Sequence, residues 1–214
     1  MDYKRLYEYR FRGIDQAARL GVWEEIAPHV YGLMGSPTKV LDAAAGRGEF
    51  IGSIPAEERW AVDAIAYPEA ERTVGVKVIT ANIMEAELPG EYFDGIFISN
   101  FLEHLPDQEV ISSFLERMRA LMVSGGRIAI MGPNYRYCAG EYWDCADHHV
   151  ALTQVAIAEH LYTAGFEPLR MIPRYLPYSF RGVLPPSKAL TRLYLRLPLA
   201  WRLLGKQFLV IGRN

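Results

Sequence analysis

Short apolar runs alternate along the chain with segments of helical spacing. KVLDAAA (39–45), RWAVDAI (59–65), VKVITANI (76–83), FDGIFISN (93–100) and GRIAIMGPN (126–134) predict five strands. They favour Val and Ile and lack strict alternation, as parallel strands buried on both faces do. DQEVISSFLERMRALM (107–122) repeats apolar residues at Val110, Ile111, Phe114, Leu115, Met118 and Leu121, which is helical spacing, and Gly125-Gly126 is read as its stop. A further helix is expected from an N-cap at Thr153 to Thr163, closed by Gly165. FEPLRMIPRYL (166–176) and QFLVIGR (207–213) are the sixth and seventh strands. Residues 3–31 read as one or two helices broken at Pro28. Strand–helix alternation of this kind predicts a layered α/β sheet with right-handed crossovers.

With 214 residues, half of them hydrophobic, the chain suits a single domain with a full core. Cys138 and Cys145 are too few for a disulfide framework. The N-terminal MDYKRLYEYRFRG lacks the apolar core of a secretory signal. No uninterrupted apolar run reaches the roughly 18 residues of a spanning helix. A cytoplasmic protein is expected. The net charge of −2 points to no nucleic-acid partner, but the charges are unevenly spread. Glu167 is the last acidic residue and nine basic residues follow it, whereas the first 167 residues carry 14 basic and 25 acidic groups.

The stretch VLDAAAGRGEF (40–50) carries the first chemical signal. In open α/β sheets, ligands sit at the carboxyl ends of the strands, and this loop lies there. Gly46 and Gly48 permit a tight turn and let a ligand approach the backbone. Asp63, ending the second strand, is placed to accept hydrogen bonds from both hydroxyls of a ribose. The spacing A-x-G-x-G from Ala44 to Gly48 departs from the dinucleotide pattern G-x-G-x-x-G. Asp42, just before the loop, would repel a pyrophosphate and welcome a cation. S-adenosylmethionine, with a sulfonium, an ammonium and no phosphate, fits these residues better than a nicotinamide dinucleotide.

The chain resembles the class I S-adenosylmethionine-dependent methyltransferases, of small-molecule type. LDAAAGRGEF, Asp63 and TANIMEAELPGEYFDGIFISNFLEHL carry the resemblance, which covers roughly residues 38–175. It implies a Rossmann-like, seven-stranded, mostly parallel sheet with helices on both faces and the last strand antiparallel. By the same resemblance Asp42 and the loop through Ala44, Gly46 and Gly48 hold the methionine part of the cofactor, and Asp63 the ribose. Asn82 and the backbone of Ile83 meet adenine, and Asn100 lies near the methionine amino group. Two positions depart from the family pattern: Ala44 replaces the first glycine, and Asn82 replaces the usual acid.

GPNYRYCAGEYWDCADHHVALT (132–153) is expected to cross the carboxyl edge as a loop. Its aromatic residues Tyr135, Tyr137, Tyr142 and Trp143 suit the walls of a small acceptor site. His148 is the expected general base, with Asp147 or His149 orienting it. His104 reads as a structural residue at a helix start. Cys138, Cys145, His148 and His149 are too loosely spaced for zinc, and no metal is expected.

The organisation expected is one domain: an N-terminal helical lid (1–35), a core (36–180), a basic amphipathic insertion (181–206) and the last strand (207–214). Within the insertion, Leu190, Leu193, Tyr194 and Leu197 share helical spacing while Arg192 and Arg196 lie on another face, until Pro198 kinks or ends the helix. Residues 185–207 could pack on the acidic parent domain, form a homodimer contact or meet an anionic membrane. The reading that results is methyl transfer to a small or lipid-linked acceptor, with oxygen as the target. Its rivals are a nicotinamide-dependent oxidoreductase and a non-catalytic S-adenosylmethionine-binding protein.

Overall fold

The computed structural model describes residues 1–178 and 186–214. Residues 179–180 of the expected core and 181–185 of the expected insertion, Arg181 included, lie outside the described residues. Seven strands, β1 (Lys39–Asp42), β2 (Glu58–Asp63), β3 (Val76–Thr80), β4 (Phe93–Ser99), β5 (Met122–Pro133), β6 (Glu167–Ile172) and β7 (Gln207–Arg213), form one sheet in the order β3-β2-β1-β4-β5-β7-β6. β7 runs antiparallel to both β5 and β6. The pairings β2–β3, β1–β2, β1–β4 and β4–β5 are parallel. The expected fold is therefore the observed one.

Successive residues of the central strands enter opposite core layers, as the pleat demands. Leu41, Ile96, Ile98, Ile128, Ile130 and Val210 pack with α5 (Gln108–Leu121) and α7 (Gln154–Thr163). Val40, Phe97, Ala129, Met131, Leu209 and Ile211 face the other way, toward α2 (Gln16–Leu33) and α3 (Glu49–Gly52). Both neighbours of each residue are thus apolar, which is why these strands show no alternation in sequence. Phe97 stacks on Phe50 with ring centroids 3.7 Å apart, tying β4 to α3 under the loop that follows β1.

Several local expectations are corrected. The N-terminal stretch forms α1 (Tyr3–Arg10) and α2, but α2 runs through Pro28. Burial of Val22, Trp23, Ile26, Ala27, Val30 and Tyr31 against the sheet outweighs the hydrogen bond that proline forfeits. Gly125-Gly126 does not stop α5, whose last residue is Leu121. The glycines lie inside β5, where the register with β4 shifts between the pairs Phe93–Met122 and Gly95–Arg127, and Gly125 takes φ 78°. β1 and β3 end earlier than the apolar runs suggest, because Ala43–Ala45 and Ala81–Ile83 already turn at the sheet edge.

The 132–153 stretch is not a plain loop. It carries α6 (Tyr135–Tyr142), capped by Asn134, whose side chain accepts from Arg136 N–H. The basic segment folds as α8 (Lys188–Leu195) and α9 (Pro198–Leu204), with Pro198 opening the second helix. α8 docks on α2 through Lys188–Glu24 and Arg192–Glu25 ion pairs at 2.5 and 2.7 Å. The remaining short helix is α4 (Pro68–Glu71).

Candidate active site

The turn after β1 is built for close approach. Gly46 adopts φ 52° and Gly48 φ 75°, the left-handed region where side chains are strained. A Cβ at Gly46 would have nothing within 4 Å, so a ligand could lie directly on its backbone. A Cβ at Gly48 would press within 3.3 Å of Ala70, so glycine there lets α4 pack against the turn. Asp63 spans the turn from below. Its carboxylate accepts from Gly46 N–H at 2.7 Å and from Ile65 N–H at 2.9 Å.

Asp42 is only 2% exposed. Burial first, then the nearby Asp63 and Glu49 carboxylates, raises its pKa well above the usual range, against opposing hydrogen bonds from the Ala44 and Ile51 backbone. Asp63 is raised by burial as well, partly offset by its Ile65 and Gly46 bonds. Glu49 is held by Arg19 at 2.5 Å. A buried carboxyl at Asp42 and a half-buried one at Asp63, beside a bare glycine turn, fit a ligand that brings positive charge and no phosphate. The S-adenosylmethionine fit is therefore sound on donor chemistry, and a pyrophosphate would meet repulsion.

The other expected cofactor residues line the same edge. Asn82 is exposed and its side-chain oxygen accepts from Met84 N–H at 3.0 Å, closing a turn after β3. Ile83 is buried, and its carbonyl accepts from Arg117 of α5 at 2.8 Å, which pins that turn to the sheet. Asn100 follows β4 at φ 49° and donates to Ser99 Oγ at 2.8 Å. Left-handed backbone at a non-glycine residue turns the chain sharply at the strand's carboxyl end.

Past Asn100 a short 3-10 turn, Leu102–His104, sets Glu103 and His104 under the segment that follows α6. His149 N–H donates to the Glu103 carbonyl at 2.8 Å, which ties the two segments together. His104 Nδ1 donates to the Asp147 carbonyl at 2.9 Å and lies 3.3 Å from the Asp147 carboxylate. Arg10 of α1 pairs with the same carboxylate through both of its terminal nitrogens. Burial would raise Asp147, but the Arg10 bond and the His104 and Arg10 charges outweigh it and hold the carboxyl below its ordinary range.

His148 stands at the centre, its ring 4.9 Å from His104 and 4.6 Å from Tyr142. Burial first, then the neighbouring His104, lowers its pKa to about 4, so the ring is neutral at neutral pH. Its Nδ1 is buried and has no hydrogen-bond partner among the described residues.

The expected orienters are corrected by this geometry. Asp147 serves Arg10 and His104 rather than His148, and the His149 side chain is exposed. His104, read as structural, belongs to the cluster. Two of the four expected wall aromatics are used elsewhere. Tyr142 is fully buried, donates to the Val150 carbonyl at 2.6 Å and accepts from Leu152 N–H at 3.2 Å. Tyr137 lies under the Arg174 guanidinium at 4.8 Å. Cys138 is buried and bonds to the Asn134 carbonyl, apart from the imidazoles. Sequence reasoning missed Arg10 and Glu103. The adjacent Glu103-His104 pair was visible in the EHL motif, whereas Arg10 carried no signal at all.

Residues 35–130 match the family model described as a methyltransferase domain. The matched segment runs from before β1 into β5, and over it the chain is similar to methyltransferase domains. No curated protein matches the chain. Among solved structures it resembles a SAM-dependent methyltransferase from Archaeoglobus fulgidus, at 19% identity over 100% of both chains and a TM-score of 0.65. It also resembles the 1,6-didemethyltoxoflavin-N1-methyltransferase of Burkholderia thailandensis, solved with its acceptor and S-adenosylhomocysteine, at 21% identity over 90% of this chain and 78% of that one, TM-score 0.60. A geranyl diphosphate methyltransferase in complex with SAM aligns at 12% identity over 89% of this chain and 84% of that one, TM-score 0.63. At these identities the chain shares a fold with the three. The acceptors named for the last two are chemically unlike. No described helix is long and apolar enough to cross a membrane.

Proposed function

We propose that this enzyme methylates an oxygen atom of a small or lipid-linked acceptor in the cytoplasm. Bound S-adenosylmethionine supplies an electrophilic methyl group on a sulfonium. In this reading Asp42 attracts the cationic end, and the backbone from Ala44 through Gly46 to Gly48 lies against the methionine part. Asp63 takes the ribose hydroxyls through lone pairs that its two backbone bonds leave over. Asn82 faces adenine. With the Ile83 carbonyl taken by Arg117, the Ile83 N–H is the backbone group left for the base. Asn100 serves the amino group.

The observation that carries the oxygen preference is the buried group of Glu103, His104 and His148 at the carboxyl end of β4, next in the sheet to β1. A hydroxyl acceptor sheds its proton as the new O–C bond forms, and polar groups of this type assist that loss. His148, with a free and buried ring nitrogen, is the side chain proposed to meet the acceptor. Asp147 acts one step back, holding His104 on one side and Arg10 on the other. That Arg10 contact supports residues 1–35 as a lid, because it fastens α1 over the acceptor side.

A lipid-linked acceptor is supported by α8 and α9. Leu190, Leu193, Leu197, Leu199, Leu203 and Leu204 are all about half or more exposed, and Arg196 and Arg202 lie exposed among them. Apolar side chains rimmed by cations suit the boundary of an anionic lipid surface.

The test is S-adenosylhomocysteine release over panels of sugars, phenols, lipid-linked intermediates and amines. Turnover confined to hydroxyl-bearing acceptors, lost in His148→Ala with cofactor affinity kept, supports the reading. Turnover confined to amines overturns the oxygen assignment. Tighter binding of a nicotinamide dinucleotide than of S-adenosylhomocysteine overturns the cofactor assignment of the notch.

A further inference from the structure

The acid–imidazole cluster has a geometry that methyl transfer to a hydroxyl does not by itself demand. Glu103, His104 and His148 each bring one ligand-capable atom into a space where all three atoms lie within 4.8 Å of one another. Glu103 is 2% exposed and His148 9% exposed, so the donors face protein rather than bulk water.

Among the described residues no hydrogen bond joins the three side chains to one another. His104 Nδ1 is engaged with Asp147, 2.9 Å from its carbonyl and 3.3 Å from its carboxylate, which leaves Nε2 as the ring nitrogen not used by Asp147. Nε2 stands 4.0 Å from Glu103 Oε1, beyond hydrogen-bond reach. His148 Nδ1 is buried and has no hydrogen-bond partner among the described residues. A buried carboxyl and two imidazoles that converge without a hydrogen bond between them are polar groups short of partners, a shortage that a shared cation would meet.

We infer that Glu103, His104 and His148 form a binding site for a divalent first-row transition cation. Two imidazoles and one carboxylate suit zinc, manganese, iron or cobalt rather than magnesium or calcium, which prefer all-oxygen sets. Bonds of roughly 2.0–2.2 Å place neighbouring ligand atoms about 3–3.5 Å apart, so the observed spread closes with sub-ångström shifts of each side chain. Asp147 orients His104 through its ring N–H, as carboxylate or carbonyl partners of metal-bound imidazoles do. Arg10 engages the Asp147 carboxylate and keeps it in that supporting place. Asp147 and Arg10 are thus positioning residues. Three protein donors leave coordination positions open, the pattern of a site that also receives a ligand. The cysteines, whose spacing argued against a metal, take no part. His148 then acts by holding a cation, and the inference stands whether or not the acceptor proves to be a hydroxyl.

The experiment uses the full chain, stripped with chelator and titrated calorimetrically with Zn2+, Mn2+ and Co2+. One equivalent is expected to bind, and Glu103→Gln and His148→Asn are each expected to weaken binding at least 100-fold. His149→Ala, an exposed neighbour, should leave it unchanged. S-adenosylhomocysteine affinity, kept within twofold in each variant, certifies the fold and separates a failed metal site from a failed cofactor assignment. A readout without variants is paramagnetic broadening of imidazole resonances in the wild-type protein by Mn2+. Broadening of His104 and His148 at one equivalent supports the site. Broadening confined to His29 or His160, no binding at millimolar cation, or variants that bind as tightly as wild type would each overturn it.

Discussion

The proposed cofactor notch and the proposed acceptor-side cluster lie on neighbouring strands, β1 and β4, at one edge of the sheet, yet they are assembled differently. The notch is nearly local: Asp42, Gly46 and Gly48 fall within seven residues, and Asp63 follows one strand later. The cluster draws on α1, the turn after β4 and the segment before α7, joining Arg10 to Asp147 across 137 positions. Their charges differ as well. In the notch both carboxyls are raised by burial, and Asp42 further by Asp63 and Glu49. In the cluster an arginine and two imidazoles surround the acids. A site that borrows its counter-charge from a ligand needs little besides a strand and a turn. A site whose Asp147 draws its counter-charge from Arg10 of α1 needs distant parts of the chain.

The largest effect should come from damaging what both regions rest on. Phe97→Ala removes the ring stacked on Phe50 under the notch, in the strand that leads to Glu103. Urea denaturation should show a loss of about 3–5 kcal/mol, the usual cost of deleting a buried aromatic. Next, Asp63→Ala should weaken S-adenosylhomocysteine binding by about 2 kcal/mol, or some 30-fold, in calorimetry, the scale of hydrogen bonds to a charged group. If the contrast between the regions is right, the same substitution leaves cation binding at the cluster intact.

Arg10→Ala probes the other side. Breaking a fully buried pair costs about 3–5 kcal/mol, and partial exposure of Arg10 should reduce this to about 1–2 kcal/mol in thermal unfolding. Acceptor kcat/KM should fall more than cofactor affinity, because α1 is no longer fastened over Asp147. Equal losses in both would erase the distinction between the two regions.

A pH titration sharpens it further. The Asp42 pKa is raised in the folded protein, so the folded state holds more protons than the unfolded state between the ordinary carboxylate range and the raised value. By linkage its contribution to stability is present at low pH and lost as pH rises through that raised pKa. A cationic ligand favours the ionised form, so binding should release protons and tighten as pH rises through the same window. Calorimetry in buffers of different ionisation enthalpy reads the proton release, and Asp42→Asn should abolish it. The smallest effect belongs to Lys188→Ala, which removes an exposed pair with Glu24. Its cost should be at most about 0.5 kcal/mol in the same unfolding assay.

The sheet and the notch were legible because their signals are short-range. Seven apolar runs, a helical repeat over 107–122, and a glycine turn between two acids each sit within a few residues. Boundaries failed where packing overrode local preference. Pro28 stays within α2 because six buried side chains hold the helix to the sheet, and Gly125-Gly126 bends a strand instead of ending a helix. Tyr142 reads equally well as a site wall or a core pin, since an aromatic residue has the same identity in either place. Only its bonds to Val150 and Leu152 decide.

The sequence by itself determined a mostly parallel α/β sheet with a glycine turn between two acids after its first strand, because strand pattern, glycine conformation and carboxylate placement are properties of adjacent residues. Tertiary structure alone decided that Asp147 answers to His104 and Arg10, that His148 keeps a buried nitrogen free, and that Glu103 faces both imidazoles. Burial, distance and the choice of hydrogen-bond partner exist only once the chain has closed on itself.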